Sequence, residues 1–126
     1  MPTALAARAS ATDAAIVTKA LVRAAKNLKL ANTALGGIVG LSDATISRMK
    51  RGAYVLTPGE KPFELAVLFV RMYRSLTAIV GGDDQVARAW LDNENVALHA
   101  RPIERIQSVS GLVDVINYLD ARRAVV

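Results

Sequence analysis

Two glycines four residues apart, Gly36 and Gly40, constrain this chain more than anything else in it, because they interrupt a run of otherwise helix-forming residues from 32 to 52. Two short helices that cross at a tight turn need a small residue inside the first helix, where the second presses on it. They also need one that adopts a left-handed backbone where the direction reverses. Gly36 meets the first need and Gly40 the second. Leu35, Val39, Leu41, Ile46 and Met49 supply apolar side chains to bury the elbow. Ser42 is placed to accept a backbone N–H at the start of the second helix, worth about 1 kcal/mol. The spacing predicts helices over 33–39 and 42–51, the second closed by Gly52 in a left-handed stop. This is a helix-turn-helix pattern.

Turning Ile46 and Met49 inward sets what the second helix shows to solvent. Helical spacing brings Asp43, Ala44, Ser47, Arg48 and Arg51 outward, with Ser42 and Thr45 at the margins. Serine and arginine in the first turns of such a helix reach base edges in the major groove. Lys50, Arg51 and a stripe of Lys19, Arg23 and Lys26 on the preceding helix are candidates for phosphate contacts. Asp43 would repel phosphate, but it can accept from a cytosine amino group or favour the helix N-terminus. Charge is distributed accordingly. Residues 1–82 carry 11 basic and 4 acidic side chains, and residues 83–126 carry 5 and 7, so a basic first part precedes a mildly acidic end. A basic surface can be merely solvated, and glycine-turned hairpins occur in proteins that bind no DNA. The Ser/Arg-bearing face tips the reading towards DNA.

The remaining pattern is helical as well. Residues 1–12 are Ala-rich with few anchors and read as a flexible N-terminus. Asp13 can cap a helix to about Leu28, with Ile16, Val17, Ala20, Leu21, Ala24 and Leu28 as its apolar side. A loop over 54–61 contains Pro58 and Gly59. Pro62 then suits the first turn of a long helix that stops at Gly81 and Gly82. Asp83 or Asp84 starts a helix bearing Val86, Trp90 and Leu91, and Pro102 opens a short turn of helix to Ile106. Ser108 or Ser110 begins the last helix, striped by Leu112, Val115, Ile116 and Leu119. No strand-like alternation of useful length and no internal repeat is present, so the expected class is all-α. The organisation reads as a flexible segment over 1–12, a helix-turn-helix region over 13–61, a linking helix over 62–82 and a helical region over 83–126. The linking helix is apolar on most of its circumference: Leu65, Leu68, Phe69, Met72, Leu76 and Ile79 on one stripe, Phe63, Val67, Val70 and Tyr73 on another. Such a helix is central to a core or shared between chains. A chain of 126 residues has little core to surround it. Readers of DNA of this kind usually work as two-fold dimers. A homodimer through Leu65, Phe69, Met72, Tyr73 and Leu76 is therefore expected, with a central core helix in a monomer as the alternative.

Composition excludes several classes. There is no cysteine and one histidine, His99, so disulfide frameworks, zinc fingers, thiol nucleophiles and histidine triads are ruled out or nearly so. The greasiest stretch, 63–80, contains Glu64, Arg71 and Arg74, whereas a bilayer span needs roughly 20 mostly apolar residues. No apolar signal core follows a basic start, and the expected location is the cytoplasm, without a membrane partner. The Asp83 and Asp84 pair reads as a helix start rather than an acid pair, and Trp90 as a core anchor. The glycine pairs follow no strand and lack the lysine of a phosphate-binding loop. Neither metal nor cofactor is expected, and no catalytic set is present.

The second half carries a resemblance. Trp90, Leu91, Asn95, Leu98, Pro102, Ile103, Glu104, Ile106, Ser108, Gly111, Val115 and Leu119 form a run that resembles the toxin-binding domain of Xre/MbcA/ParS antitoxins. Those proteins place it after an Xre-like helix-turn-helix, the order found here, and the resemblance spans about residues 15–121. It departs at Glu94, where the family often has proline, and at Ala100, near a usual glycine. Arg122, Arg123, Ala124, Val125 and Val126 replace the family's closing apolar residue and glycine. The resemblance implies an Xre-like helix-turn-helix bundle followed by a compact helical toxin-binding domain. It implies as partner a RES-domain toxin, an enzyme that consumes NAD+, whose active site the antitoxin occludes, often through its C-terminal region. It further implies operator DNA, bound by a homodimer or a higher-order toxin–antitoxin complex that represses its own operon. On that footing Asn117, Tyr118, Asp120, Arg122, Arg123 and Val126 are the expected toxin contacts. The two arginines are placed to pair with acidic groups on the toxin or simply to complement the helix C-terminus. The alternatives are a stand-alone dimeric repressor without a toxin and, less favoured for want of an acid, base and nucleophile, a small helical enzyme.

Overall fold

Among the described residues the periodicities resolve into seven helices: α1 (Ala4–Asn27), α2 (Asn32–Val39), α3 (Asp43–Lys50), α4 (Lys61–Ile79), α5 (Asp84–Asp92), α6 (Pro102–Arg105) and α7 (Val109–Val125). The structure is a computed structural model that describes the backbone of residues 4–125 and the side chains of residues 11–124. A lone antiparallel bridge, Asn95 to Ala100, pins the loop between α5 and α6. In that loop His99 adopts a left-handed backbone and is exposed.

Local chemistry sets the helix ends. Gly40 has φ +76°, and its N–H and that of Leu41 both bond the Gly36 carbonyl, at 2.8 and 3.0 Å. A Cβ on Gly36 would fall on the Leu41 carbonyl oxygen, so it is the turn's own backbone, more than the second helix, that excludes a side chain there. Ser42 Oγ accepts the Thr45 N–H at 3.2 Å and caps α3. Pro62 lies in the first turn of α4. The Asp83 carboxylate accepts from the N–H groups of Gln85 and Val86 at 3.0 and 3.2 Å and caps α5. Ser108 Oγ accepts from Gly111 N–H at 3.1 Å where α7 begins.

Helix α4 runs through the middle. It packs on α7 to one side and on α1 and α2 to the other, while α3 folds against α2 and α1. α5 touches α4, and α6 joins α5 to α7. One apolar core results, reaching from Leu21, Leu35 and Ile46 through Phe69, Met72 and Leu76 to Leu91, Ile106, Leu112 and Leu119.

Three expectations are corrected. Helix α1 begins at Ala4, not at Asp13, which is an exposed residue inside it; the alanine-rich run has the highest intrinsic helix propensity and needs no cap at residue 13. Of the flexible segment expected over 1–12, residues 4–12 are helical and 1–3 lie outside the described residues. The inward face of α1 is also shifted in part: Leu21, Ala24 and Leu28 are buried as expected and Val17 and Ala20 half-buried, but Ala14, Thr18 and Ala25 join them and Ile16 is 58% exposed. Thr18 belongs inside because its hydroxyl donates to the Ala14 carbonyl at 2.6 Å and accepts from the Leu56 N–H at 3.0 Å. Finally, Phe69, Met72 and Leu76, expected at a dimer interface, have no exposed surface in the single chain. Their helix is apolar nearly all round because α1, α2 and α7 surround it, so these three cannot face a second copy. Leu65 and Tyr73 are half-buried against the same core.

Candidate nucleic-acid interface and partner-facing helix

The outer face of α3 is the one its spacing dictates. Ile46 and Met49 are buried; Ser42, Asp43, Ala44, Arg48, Lys50 and Arg51 are exposed, and Thr45 and Ser47 are half-buried. The two arginines are held from below by hydroxyls one turn earlier. Arg48 donates to Thr45 Oγ1 and Arg51 to Ser47 Oγ, each at 3.1 Å. Thr45 Oγ1 in turn accepts from the Ser42 hydroxyl at 3.0 Å. Each guanidinium keeps further N–H donors for an outside acceptor, and its planar fork suits the paired acceptors of guanine or a phosphate. Lys50 Nζ reaches back to Asn32 Oδ1 at 2.5 Å, joining the end of α3 to the start of α2.

The stripe on α1 lies beside this face without merging with it. Lys19, Arg23 and Lys26 line a concave surface closed by Lys50, Tyr54 and Val55. The stripe thus meets α3 at Lys50, while Arg48 and Arg51 lie outside this concavity. Asn32 and Tyr54, not singled out from the sequence, complete the surroundings of Lys50; their only signal was position at the two ends of the helix-turn-helix.

The far end of α7 is organised differently. Tyr118 stacks on Trp90 with ring centroids 6.1 Å apart and 21° between planes, and the Arg122 guanidinium lies 6.0 Å from the Tyr118 ring. Asp120 pairs with Arg71 at 2.6 Å and accepts from Ser75 Oγ at 3.0 Å. Arg123 donates to the same Ser75 oxygen at 3.2 Å. Of the expected toxin contacts, Asn117 and Arg122 point outward, Tyr118, Asp120 and Arg123 are engaged within the chain, and Val126 lies outside the described residues.

Contacts between the two halves had no sequence signal. Gln107 Nε2 donates to the Ala34 carbonyl at 3.2 Å, and its amide lies where a Cβ on Gly37 would stand. Arg88 donates to the Asn27 carbonyl at 2.9 Å. Asn27 Nδ2 donates to the Tyr73 hydroxyl at 2.9 Å, which donates to Asp84 at 3.0 Å. Burial pushes the Tyr73 phenol up from its ordinary value; the bond and charge of Asp84 add to the rise and the Asn27 bond opposes it.

No helix among the described residues is long and apolar enough to cross a membrane. Two family models match in sequence. One, described as the antitoxin Xre-like helix-turn-helix domain, covers residues 7–71; the other, the antitoxin Xre/MbcA/ParS C-terminal toxin-binding domain, covers residues 75–124. Their border falls inside α4. No curated protein matches the chain. Both are regulatory and binding modules, not enzymes. With a helix-turn-helix match over more than half its length and the toxin-binding match directly behind it, the chain belongs to the family of Xre-type antitoxins.

Proposed function

We propose that this antitoxin neutralises a cognate RES-domain, NAD+-consuming toxin in the cytoplasm by covering its active site. In the same proposal it binds operator DNA, as a homodimer or within a larger toxin–antitoxin complex, to repress its own operon. The observation that carries this reading is the succession of the two family matches on one shared core. On the DNA side Ser47, Arg48 and Arg51 reach the bases, with Asp43 and Ala44 beside them, and Ser42 and Thr45 holding the helix start and Arg48 in place. Lys50, Lys19, Arg23 and Lys26 take phosphates. On the toxin side Asn117 and Arg122 make direct contacts, and Tyr118, Asp120 and Arg123 hold the end of α7 in position. A helix end placed over the opening of a pocket excludes substrate sterically, and arginines at its rim favour acidic groups around that opening. The dimer forms through a surface other than Phe69, Met72 and Leu76.

The test is co-expression. A RES-domain frame encoded beside this chain is induced with and without it, while growth and cellular NAD+ are followed. Growth arrest with NAD+ loss, both prevented by this chain, is the expected result. Toxicity that this chain does not relieve overturns the neutralisation reading, and unchanged operator-reporter output with and without the chain overturns autorepression.

A further inference from the structure

We propose that the groove between α1, α4 and α7 is a second docking site for the toxin, fitted to a segment in which apolar side chains are flanked by two or more aspartates or glutamates. The proposal rests on the antitoxin reading and adds a surface outside the end of α7. The floor of the groove is apolar and open: Ile16 is 58% exposed and Val67 43% exposed, and Val17, Ala20 and Val70 continue the surface between them. Uncovered apolar area of this kind, rimmed by polar groups, marks an interaction site. The rim states which partner fits. Among the described residues it carries three cations, Arg71, Arg74 and Arg123, and one carboxylate, Asp120. Arg71 and Arg123 converge on Asp120 and its bonded neighbour Ser75, while Arg74 makes no ion pair among the described residues. Three cations against one anion leave two positive charges in excess beside a greasy floor. A second copy presenting the same groove would bring like charges together, and nucleic acid gains nothing from the apolar floor. An acidic, apolar protein segment satisfies both parts.

The groove is also separate from the DNA-facing concavity. On α1 it takes Ile16, Val17 and Ala20, whereas the other takes Lys19, Arg23 and Lys26, with no residue in common. Both surfaces can therefore be occupied at once, and damage to the groove leaves DNA binding intact.

The experiment compares full-length wild type with Val67→Asp and Arg74→Glu. It measures toxin affinity by titration with the purified toxin, operator affinity, oligomeric state by sedimentation, and thermal melting. Both positions are exposed, so the fold is retained; should Val67→Asp melt early, Arg74→Glu still decides. Each variant is expected to weaken toxin binding by about tenfold or more, with Arg74→Glu mainly slowing association at low salt. Operator affinity and oligomeric state stay as in wild type. Unchanged toxin affinity in a folded Arg74→Glu overturns the proposal. So does a parallel loss of operator affinity, which makes the groove a nucleic-acid surface, or a dimer falling to monomers with toxin affinity intact, which makes the occupant a second copy. A wild-type chain that fails to bind the toxin removes the antitoxin reading and the groove together. Wild-type binding with unaffected variants removes the groove alone.

Discussion

The arginines of α3 and those of α7 are anchored in opposite ways. On α3, Arg48 and Arg51 lean on hydroxyls of their own helix, Thr45 and Ser47, and no side chain outside the helix-turn-helix bonds them among the described residues. On α7, Arg123 and the neighbouring Asp120 lean on another helix, reaching Ser75 and Arg71 of α4. The first arrangement orients a charged group while leaving it to a partner. The second spends much of the charge on fastening two helices. Substitution of Arg48 or Arg51 should therefore change binding without changing stability, and substitution of Asp120 should cost stability without weakening toxin binding, with α4 as the element whose core packing both regions share.

The strongest way to break this picture is Phe69→Ala. Phe69 is fully buried between helices of both halves, and truncating a buried phenylalanine costs about 3–5 kcal/mol. A large drop in the melting temperature, independent of protein concentration, is expected. A variant that keeps its protomer stability and only loses a dimer would return Phe69 to an interface. Arg48→Ala is next. It should weaken specific DNA binding by about 1–3 kcal/mol with an unchanged melting temperature. Equal loss on every DNA sequence would make Arg48 a backbone contact instead. Lys26→Ala sharpens the same distinction: its expected signature is a salt slope shallower by about one, with sequence preference kept.

Asp120→Asn probes the other side. Removing the charge leaves Arg71 without its anion, beside the Ser75 hydroxyl that Arg123 also bonds, at a part-exposed site where such a pair contributes on the order of 1 kcal/mol or less. Calorimetric melting should show that small loss, while toxin titration shows no weakening. Weaker toxin binding with unchanged melting would make Asp120 a direct contact.

What could be read ahead from the sequence follows the same division. Gly36, Gly40 and Ser42 act within a few residues of themselves, so spacing alone placed the turn and the cap of α3, narrowed the cap of α5 to Asp83 or Asp84, and fixed the face carrying Arg48 and Arg51. Periodicity gave α4 correctly as a helix but could not say what surrounds it; a helix apolar on most sides looks alike whether its neighbours come from its own chain or another. The inward place of Thr18 on α1 was illegible for a related reason. Its hydroxyl is satisfied inside by its own helix and by the Leu56 N–H, 38 residues away, while Ile16 stays exposed. Gln107 over Gly37, and Arg71 with Asp120, are likewise pairings across the sequence that no local pattern announces.

The last effect concerns the seam between the halves and is read as a dependence on pH. Tyr73 sits between Asn27 of α1 and Asp84 of α5, and its phenol is raised above the ordinary value of 10.0, chiefly by burial. In the unfolded chain the phenol releases its proton around that ordinary value, while the folded chain still holds it. The stability linked to this proton is thus fully present below pH 10.0 and is lost as pH rises through the higher folded value. Tyr73→Phe removes the titration along with two hydrogen bonds, each worth about 1 kcal/mol net. Urea midpoints of the two proteins, measured from about pH 8 to about pH 11, should differ most at the lower end and converge above the ordinary phenol value. Parallel curves across that range would mean that the hydroxyl is as well solvated in the folded chain as in the unfolded one.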